Sequence, residues 1–538
     1  MSPGLIRSGR QLLLGMADSA VTMPALRWTW RGHGDQVFTG GLMDFRPADT
    51  EAVREMMSGR YLLASKLFET GGTSPFALDV DHPDWWNNLQ SFSWLRHFRD
   101  VRDPGERQFA RTLVLDWIGR EGKFDPDTWN LTLTAQRILN WLRHLTLLLD
   151  GATAEQARTI QRSLGSQVQS LRVRSALTSD PAEALFAAMG LLGAELCSAQ
   201  PSADIETHVG RLDAVLARQL DGDGLHLSRN PRLQLSLLVE LTSLRRALGR
   251  HGSAAMTALA NRVDRMHEAL DDLTLSSGEP AYFNGCGQVP HDVLVAVQAT
   301  GPVSTRTSRL VGGYGIVRSG KSVIIGDSGL RPPPGFDAEA HDGALAFEFT
   351  HGSELIVGSC GPAPSDLPES RDLFRQSVAH SAPCFEPDDV PKKARKGHAS
   401  EPPRLELDKA EHMLVMTTGT LPEAPGLRIE RRLTLLSEGT TLVGQDRLIA
   451  TEDVRGLLSV RFHLGPGVTL RRTSGDSIAR LVLPNRQVWS FLWEGATLRE
   501  DDSVRQSAYL GFHRTRQLVL EAEATAGREI AWIFTLEQ

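Results

Sequence analysis

The stretch Phe336–Gly361, FDAEAHDGALAFEFTHGSELIVGSCG, is the part of this chain that decides its fold. Its centre alternates strictly, with Leu345, Phe347 and Phe349 set against Ala346, Glu348 and Thr350. A period of two places the two sets on opposite faces of a β-strand. A glycine-containing turn at His351–Ser353 follows, then a second apolar strand. His341 enters the first strand with acidic neighbours Glu339 and Asp342, and His380 closes the downstream echo RDLFRQSVAHS, 371–381. A histidine between carboxylates at the lip of a sheet is where polar chemistry reaches the sheet edge.

The same period governs everything after about residue 305. YGIVRSGKSVIIGD, LRIERRLTLLSEGTTLVGQDRL, IARLVLPNRQVWSFLW and LVLEAEATAGREIAWIFTLE read as antiparallel strands joined through Ser-Gly, Glu-Gly, Pro-Asn and Ala-Gly turns. Strands in that number predict a β-sandwich. One insertion, 387–404, breaks the run with a Lys/Arg cluster, which reads as a solvated loop or as a grip on a polyanion.

Before residue 305 the period is helical. Asp103-Pro104, Asp180-Pro181 and Asn230-Pro231 each open an amphipathic run, and Asp125–Asp127 precedes another. An Asp or Asn cap accepts the orphan N–H groups of a first turn, and proline in that turn forfeits no hydrogen bond. Successive helices with short connections predict stacked helical hairpins. The segment 50–100 is rich in tryptophan, as in DWWNNLQSFSWLRHF, 84–98. Helices first and strands second predict a chain of two domains, α then β.

Composition narrows the function. With 41% hydrophobic and 23% charged residues, the 538-residue chain has ordinary globular character and is too long for one core. A formal net charge of -7 gives no electrostatic reason to expect nucleic acid. Four cysteines, Cys197, Cys286, Cys360 and Cys384, are widely spaced and predict no disulfide framework. The apolar run Leu12–Met16 is shorter than the roughly 7–15 residues of an export signal. No run reaches the about 18 apolar residues of a transmembrane helix. Read alone, these residues point to the cytoplasm.

Several motifs together resemble the heparinase II/III family of polysaccharide lyases: the aromatic segment 84–98, DGLHLSRNP at 223–231, AHDGALAF at 340–347 and AHS at 379–381. The resemblance covers nearly the whole chain. It implies an incomplete α/α toroid followed by an antiparallel β-sandwich. The expected boundaries are an aromatic-rich lead-in at 1–100, the toroid at 101–305 and the sandwich at 306–538. It also implies β-elimination of a polysaccharide containing uronic acid, with an acidic polysaccharide or oligosaccharide as partner, and a periplasmic or envelope location.

β-Elimination needs three things: neutralisation of the substrate carboxylate, a base for the C5 proton and an acid for the leaving oxygen. By position, the family's tyrosine falls on Leu233, its following histidine on Gln234 and the first histidine of H-x-H on Glu339. The toroid segment that supplies Asn or His in the family falls near Asp180–Glu183, where neither occurs. The remaining candidates are His226 as a base, Arg229 and Asn230 as carboxylate ligands, Tyr314 as a proton donor, and Glu339 with His341 at the sheet edge. Each also has a plainer role: Asn230 as a helix cap, Tyr314 as sheet packing, His226 as a loop histidine. The resemblance further implies a zinc site at His341 and His380 in some members. Cys360 stands where a third ligand is expected, and a hydrogen-bonded histidine pair is the alternative. The chemistry requires no cofactor. The same scaffold without catalysis would be a glycan-binding or accessory protein of polysaccharide assembly.

Overall fold

The computed structural model describes all residues except 1–2, 24, 27–35, 123, 201–204, 250–253, 366, 389–400, 420, 422–423, 425, 451–453, 473–476 and 538. The basic cluster of the 387–404 insertion lies outside the described residues. The chain is an α/α toroid followed by an antiparallel β-sandwich, and it divides into two compact units. One comprises 1–220, 236–264 and 292–301; the other comprises 221–235, 265–291 and 302–538.

The first unit is helical. Asp103 caps Pro104–Glu121 through the backbone N–H groups of Gly105 and Glu106, and Asp180 caps Pro181–Leu196 in the same way. The next predicted start shifts. The helix Leu131–Leu149 is capped by Asn130, whose side chain accepts from Leu133 N. Asp125 instead closes the preceding turn by accepting from Asp127 N and Thr128 N.

Five tryptophans of this unit lie in its core. Trp85, Trp94, Trp117, Trp129 and Trp141 are fully buried. Phe92, held in the left-handed region at φ 59°, packs against Trp94, Trp117 and Trp141. Arg137 is buried among them with its guanidinium 4.3 Å from the Trp117 ring centroid. It donates to Gln167 Oε1 at 2.7 Å and to the Gln90 carbonyl at 3.1 Å, so the buried cation is fully engaged.

Among the described residues, the second unit contains two sheets. One runs, edge to edge, Thr469–Arg471, Ile478–Val482, Val488–Glu494, Glu529–Leu536, Thr441–Ala450, Leu427–Leu436, Met413–Thr417 and Arg404–Asp408. The other is nine-stranded and includes Tyr314–Ser319, Ser322–Asp327, Phe347–His351 and Glu354–Gly358. Their facing side chains make one apolar core, in which Phe347 stacks on Trp532 with centroids 5.6 Å apart.

The alternation at 345–350 is real, yet both of its faces are buried. Leu345, Phe347 and Phe349 enter the sandwich core. On the other face Ala346 joins a second cluster with Leu273, Leu275, Ala281 and Phe283. Glu348 accepts from Tyr282 N and Ser359 N and pairs with Arg505 at 3.0 Å. Thr350 bonds Ser276 at 2.8 Å. The segment 265–291 therefore covers the face that the sequence alone would leave to solvent.

Candidate functional site

The loop Asp221–Asn230 is built by its own polar groups. Asp221 accepts from Asp223 N and Leu225 N at 2.9 Å each, and Gly224 turns the chain at φ 87°, where a Cβ would strike the backbone of Arg265. Gln234, fully buried, reaches back from the following helix. Its Oε1 accepts from His226 N at 3.0 Å, and its Nε2 donates to the carbonyls of Gly224 and Met266. Asn230 accepts from Arg232 N and Leu233 N, which is the cap that opens Pro231–Leu248.

Arg229 does not face open space. It sits at φ 56° and is buried, with Nε donating to the Gly312 carbonyl at 2.8 Å and Nη1 to that of Leu330. Nη2 pairs with Asp327 at 2.7 Å, and the guanidinium lies 4.1 Å from the Tyr314 ring centroid. The Tyr314 hydroxyl donates to the Arg229 carbonyl at 2.6 Å and accepts from Asn284 Nδ2 at 2.7 Å. Asn284 in turn accepts from His341 N at 3.2 Å.

The structure thus gathers His226, Arg229, Asn230, Tyr314 and His341 into one connected network. The Arg229 guanidinium, Asn230 Oδ1 and the Tyr314 hydroxyl are committed to the fold. The reading of Arg229 as a carboxylate ligand is therefore corrected, because all three of its guanidinium nitrogens are committed to protein acceptors. Tyr314, at the start of the strand Tyr314–Ser319, is fully buried, and burial raises its pKa above the phenol range.

Burial also governs the histidines. It lowers His226 to about 4, and its Nδ1 accepts from Ser228 N and lies 2.8 Å from Ser228 Oγ. His341 is lowered to about 3 by burial, with His380, Arg375 and Arg371 adding repulsion. A general base works best with a pKa near the operating pH, so these imidazoles are weak candidates for abstracting a C5 proton. Glu339 is exposed and ion-paired to Arg371, with Arg375 at 3.9 Å; Asp342 is exposed and paired to Arg331 at 2.7 Å.

The zinc reading does not fit these residues. His341 Nδ1 and His380 Nε2 lie 3.2 Å apart, a separation shared by a hydrogen-bonded pair and by two ligands of one tetrahedral ion, so the third ligand decides. Cys360 is directed elsewhere, with Sγ 3.6 Å from His463 Nδ1 and 3.9 Å from Ser503 Oγ. Burial raises its thiol to about 11, away from the thiolate a metal needs. Among the described residues, no group of three or more His, Cys, Asp or Glu is placed to hold a metal ion.

The helical unit holds a second polar cluster that the sequence reading missed. Asp44 accepts from Arg46 at both carboxylate oxygens and lies 3.3 Å from His144 Nε2. Asn140 Oδ1 accepts from Arg46 and Arg143, and Arg143 pairs with Glu240. The alternation of 43–46 was the available signal: Asp44 and Arg46 turn inward, while Met43 and Phe45 turn outward. The outward pair helps line a cavity of about 750 Å³ with Thr242, Arg245, Arg246 and Thr300. Arg245 is held by Asp264 and the Thr300 carbonyl. Arg246 is exposed and lies 5.7 Å from the Phe45 ring centroid.

Residues 303–533 match the family described as Heparinase II/III-like, C-terminal. Over this C-terminal domain the chain is similar to the heparinase II/III-like family. The fold agrees over a longer span. Heparan sulfate lyase HepC from Pedobacter heparinus superposes at TM-score 0.61 and 15% identity, covering 100% of this chain and 91% of that one. A heparinase III structure superposes at TM-score 0.66 and 13% identity, covering 87% and 80%. At such identities these heparinases establish the fold and not the activity. FtsZ-localized protein C of Caulobacter vibrioides is 28% identical over 410 residues, 70% of this chain and 69% of that protein. Gln234 braces the 221–230 loop from the following helix.

Proposed function

We propose that this heparinase II/III-like protein holds an acidic glycan without cleaving it, as an accessory of polysaccharide assembly. The observation that carries this reading is the commitment of Arg229, Tyr314 and Gln234 to buried structural bonds. Elimination needs an acid and a base that touch the sugar, and neither Tyr314 nor His226 is exposed to one. The cavity by Phe45 is the better place for a sugar. An aromatic face beside the exposed guanidinium of Arg246 suits a pyranose ring and its carboxylate. The name of the Caulobacter relative places that protein with FtsZ, and we extend that association to this chain as the setting in which the glycan is held.

One experiment separates holding from cleaving. The protein is titrated with uronate oligosaccharides while the ultraviolet absorbance of unsaturated uronate is followed. Binding without product is expected, and Arg246→Ala and Phe45→Ala should each weaken it by about tenfold. Accumulation of unsaturated product would restore the lyase reading, and absence of binding to any acidic glycan would remove both.

A further inference from the structure

The sheet that runs from Thr469–Arg471 to Arg404–Asp408 gives one face to the sandwich core and turns the other outward. Along Thr441–Ala450 the inward Leu442, Gly444, Asp446 and Leu448 are buried, whereas the residues that alternate with them are half-buried or exposed. The outward face of an antiparallel sheet ordinarily carries polar side chains. The strand register gives this one an apolar row instead. Met413 pairs with Thr434, Thr434 with Val443, Val443 with Ile533, Ile533 with Leu492, and Leu492 with Ile478. Residues opposite one another in an antiparallel pair share a face, so these side chains cross six adjacent strands in one line. None of them is buried, and Ile533 at the centre is 36% exposed.

The same registers set charges on either side of the midline between Thr441–Ala450 and Glu529–Leu536. Gln445 pairs with Ala531 across that midline; in the same row Arg432 lies one strand beyond Gln445, and Glu494 lies one strand beyond Ala531. In the next outward row Arg447 pairs with Glu529. All four charged residues are exposed, and among the described residues none of them joins an ion pair. A two-fold axis lying in the face along the midline exchanges its two halves. It sets Arg432 over Glu494 of a second copy and Arg447 over that copy's Glu529, and symmetry repeats each contact. It also lays the apolar row on itself, with Val443 over the second copy's Ile533. A patch that matches itself under a two-fold axis is what an isologous contact requires. An anionic membrane or an acidic glycan would instead meet Glu494 and Glu529 as like charges.

We propose that the outward face of this sheet is the contact between two copies of the chain, related by that two-fold axis. The contact does not depend on glycan binding. Within one chain Arg432 and Glu494 stand three strand spacings apart, about 14 Å, which is too far to pair. Reversing either charge therefore acts across the contact alone. The test is sedimentation velocity of the full chain over a series of concentrations, and a dimer is expected. Arg432→Glu and Glu494→Arg should each raise the dimer dissociation constant by roughly tenfold or more, because like charges then face each other at both symmetry-related places. Their melting curves should match the parent's, since both side chains are exposed. Mixed in equal amounts, the two variants should form a dimer again: the two reversed side chains face each other, and so do the two native ones. A parent chain that stays monomeric assigns the face to some other molecule and overturns the proposal. Single variants that dimerise like the parent overturn it too, as does a mixture that remains monomeric.

Discussion

Arg229 is the residue where a catalytic reading and an architectural one make opposite predictions. A surface arginine is worth about 0–1 kcal/mol to stability. Arg229 is instead buried, and its removal leaves Asp327 as an unpaired buried carboxylate. Arg229→Ala should therefore cost about 3–5 kcal/mol in denaturant unfolding, while glycan affinity of the folded fraction stays the same. A stable variant with lost affinity would reinstate Arg229 as a ligand. The buried histidines make a pH prediction. His226 is lowered to about 4 and His463 to about 3, both chiefly by burial, against an unfolded value of about 6.5. Between those values the unfolded chain binds more protons than the folded one. The stability from these groups is thus complete above about pH 6.5 and is lost as pH falls towards about 4. Denaturation midpoints measured across that range should decline on acidification, and a flat or rising series would contradict the burial of these rings.

At the scale of elements, the strand Thr441–Ala450 contains a glycine where strand propensity argues against one. Gly444 pairs in register with Trp532, and a Cβ there would collide with the indole. The indole cannot readily retreat. Its Nε1 donates to Asp446 Oδ2 at 2.9 Å, and the ring stacks on Phe347. Asp446 is itself held by Arg431, which also donates to the carbonyls of Leu345 and Ser381. Gly444→Ala should accordingly cost about 1–3 kcal/mol by overpacking, read as a lower unfolding midpoint. A neutral result would mean that the two sheets are packed more loosely at Trp532 than the observed stacking indicates. The helix caps show how much of such detail is local. Asp103, Asp180 and Asn230 cap where their Pro-containing runs begin, because a cap needs only its own neighbours. Asp125 was misread because a nearer cap, Asn130, sits beside the first helical residue.

For the whole molecule, the change of period near residue 305 gave the α-then-β order, and the motifs gave the family. Both follow from local facts: which residues alternate, which recur every third or fourth position, and which cap a turn. The candidate site was legible as a set of positions. His226, Arg229, Asn230, Tyr314 and His341 do come together. Their roles were not legible, because a role depends on what occupies the remaining hydrogen-bonding positions. Asn284 and Asp327, which fix Tyr314 and Arg229, lie 30 and 98 residues away from their partners in sequence. The same holds for Cys360, which reaches His463 across 103 residues instead of joining the histidine pair. It also holds for Glu348, whose strand face is covered by 265–291 and not by water. The sequence by itself determined the period of each segment, the caps and the order of the two architectures, since these depend on neighbours along the chain. Only the tertiary structure decided which polar groups are buried and satisfied, because desolvation is set by residues distant in sequence that close over them.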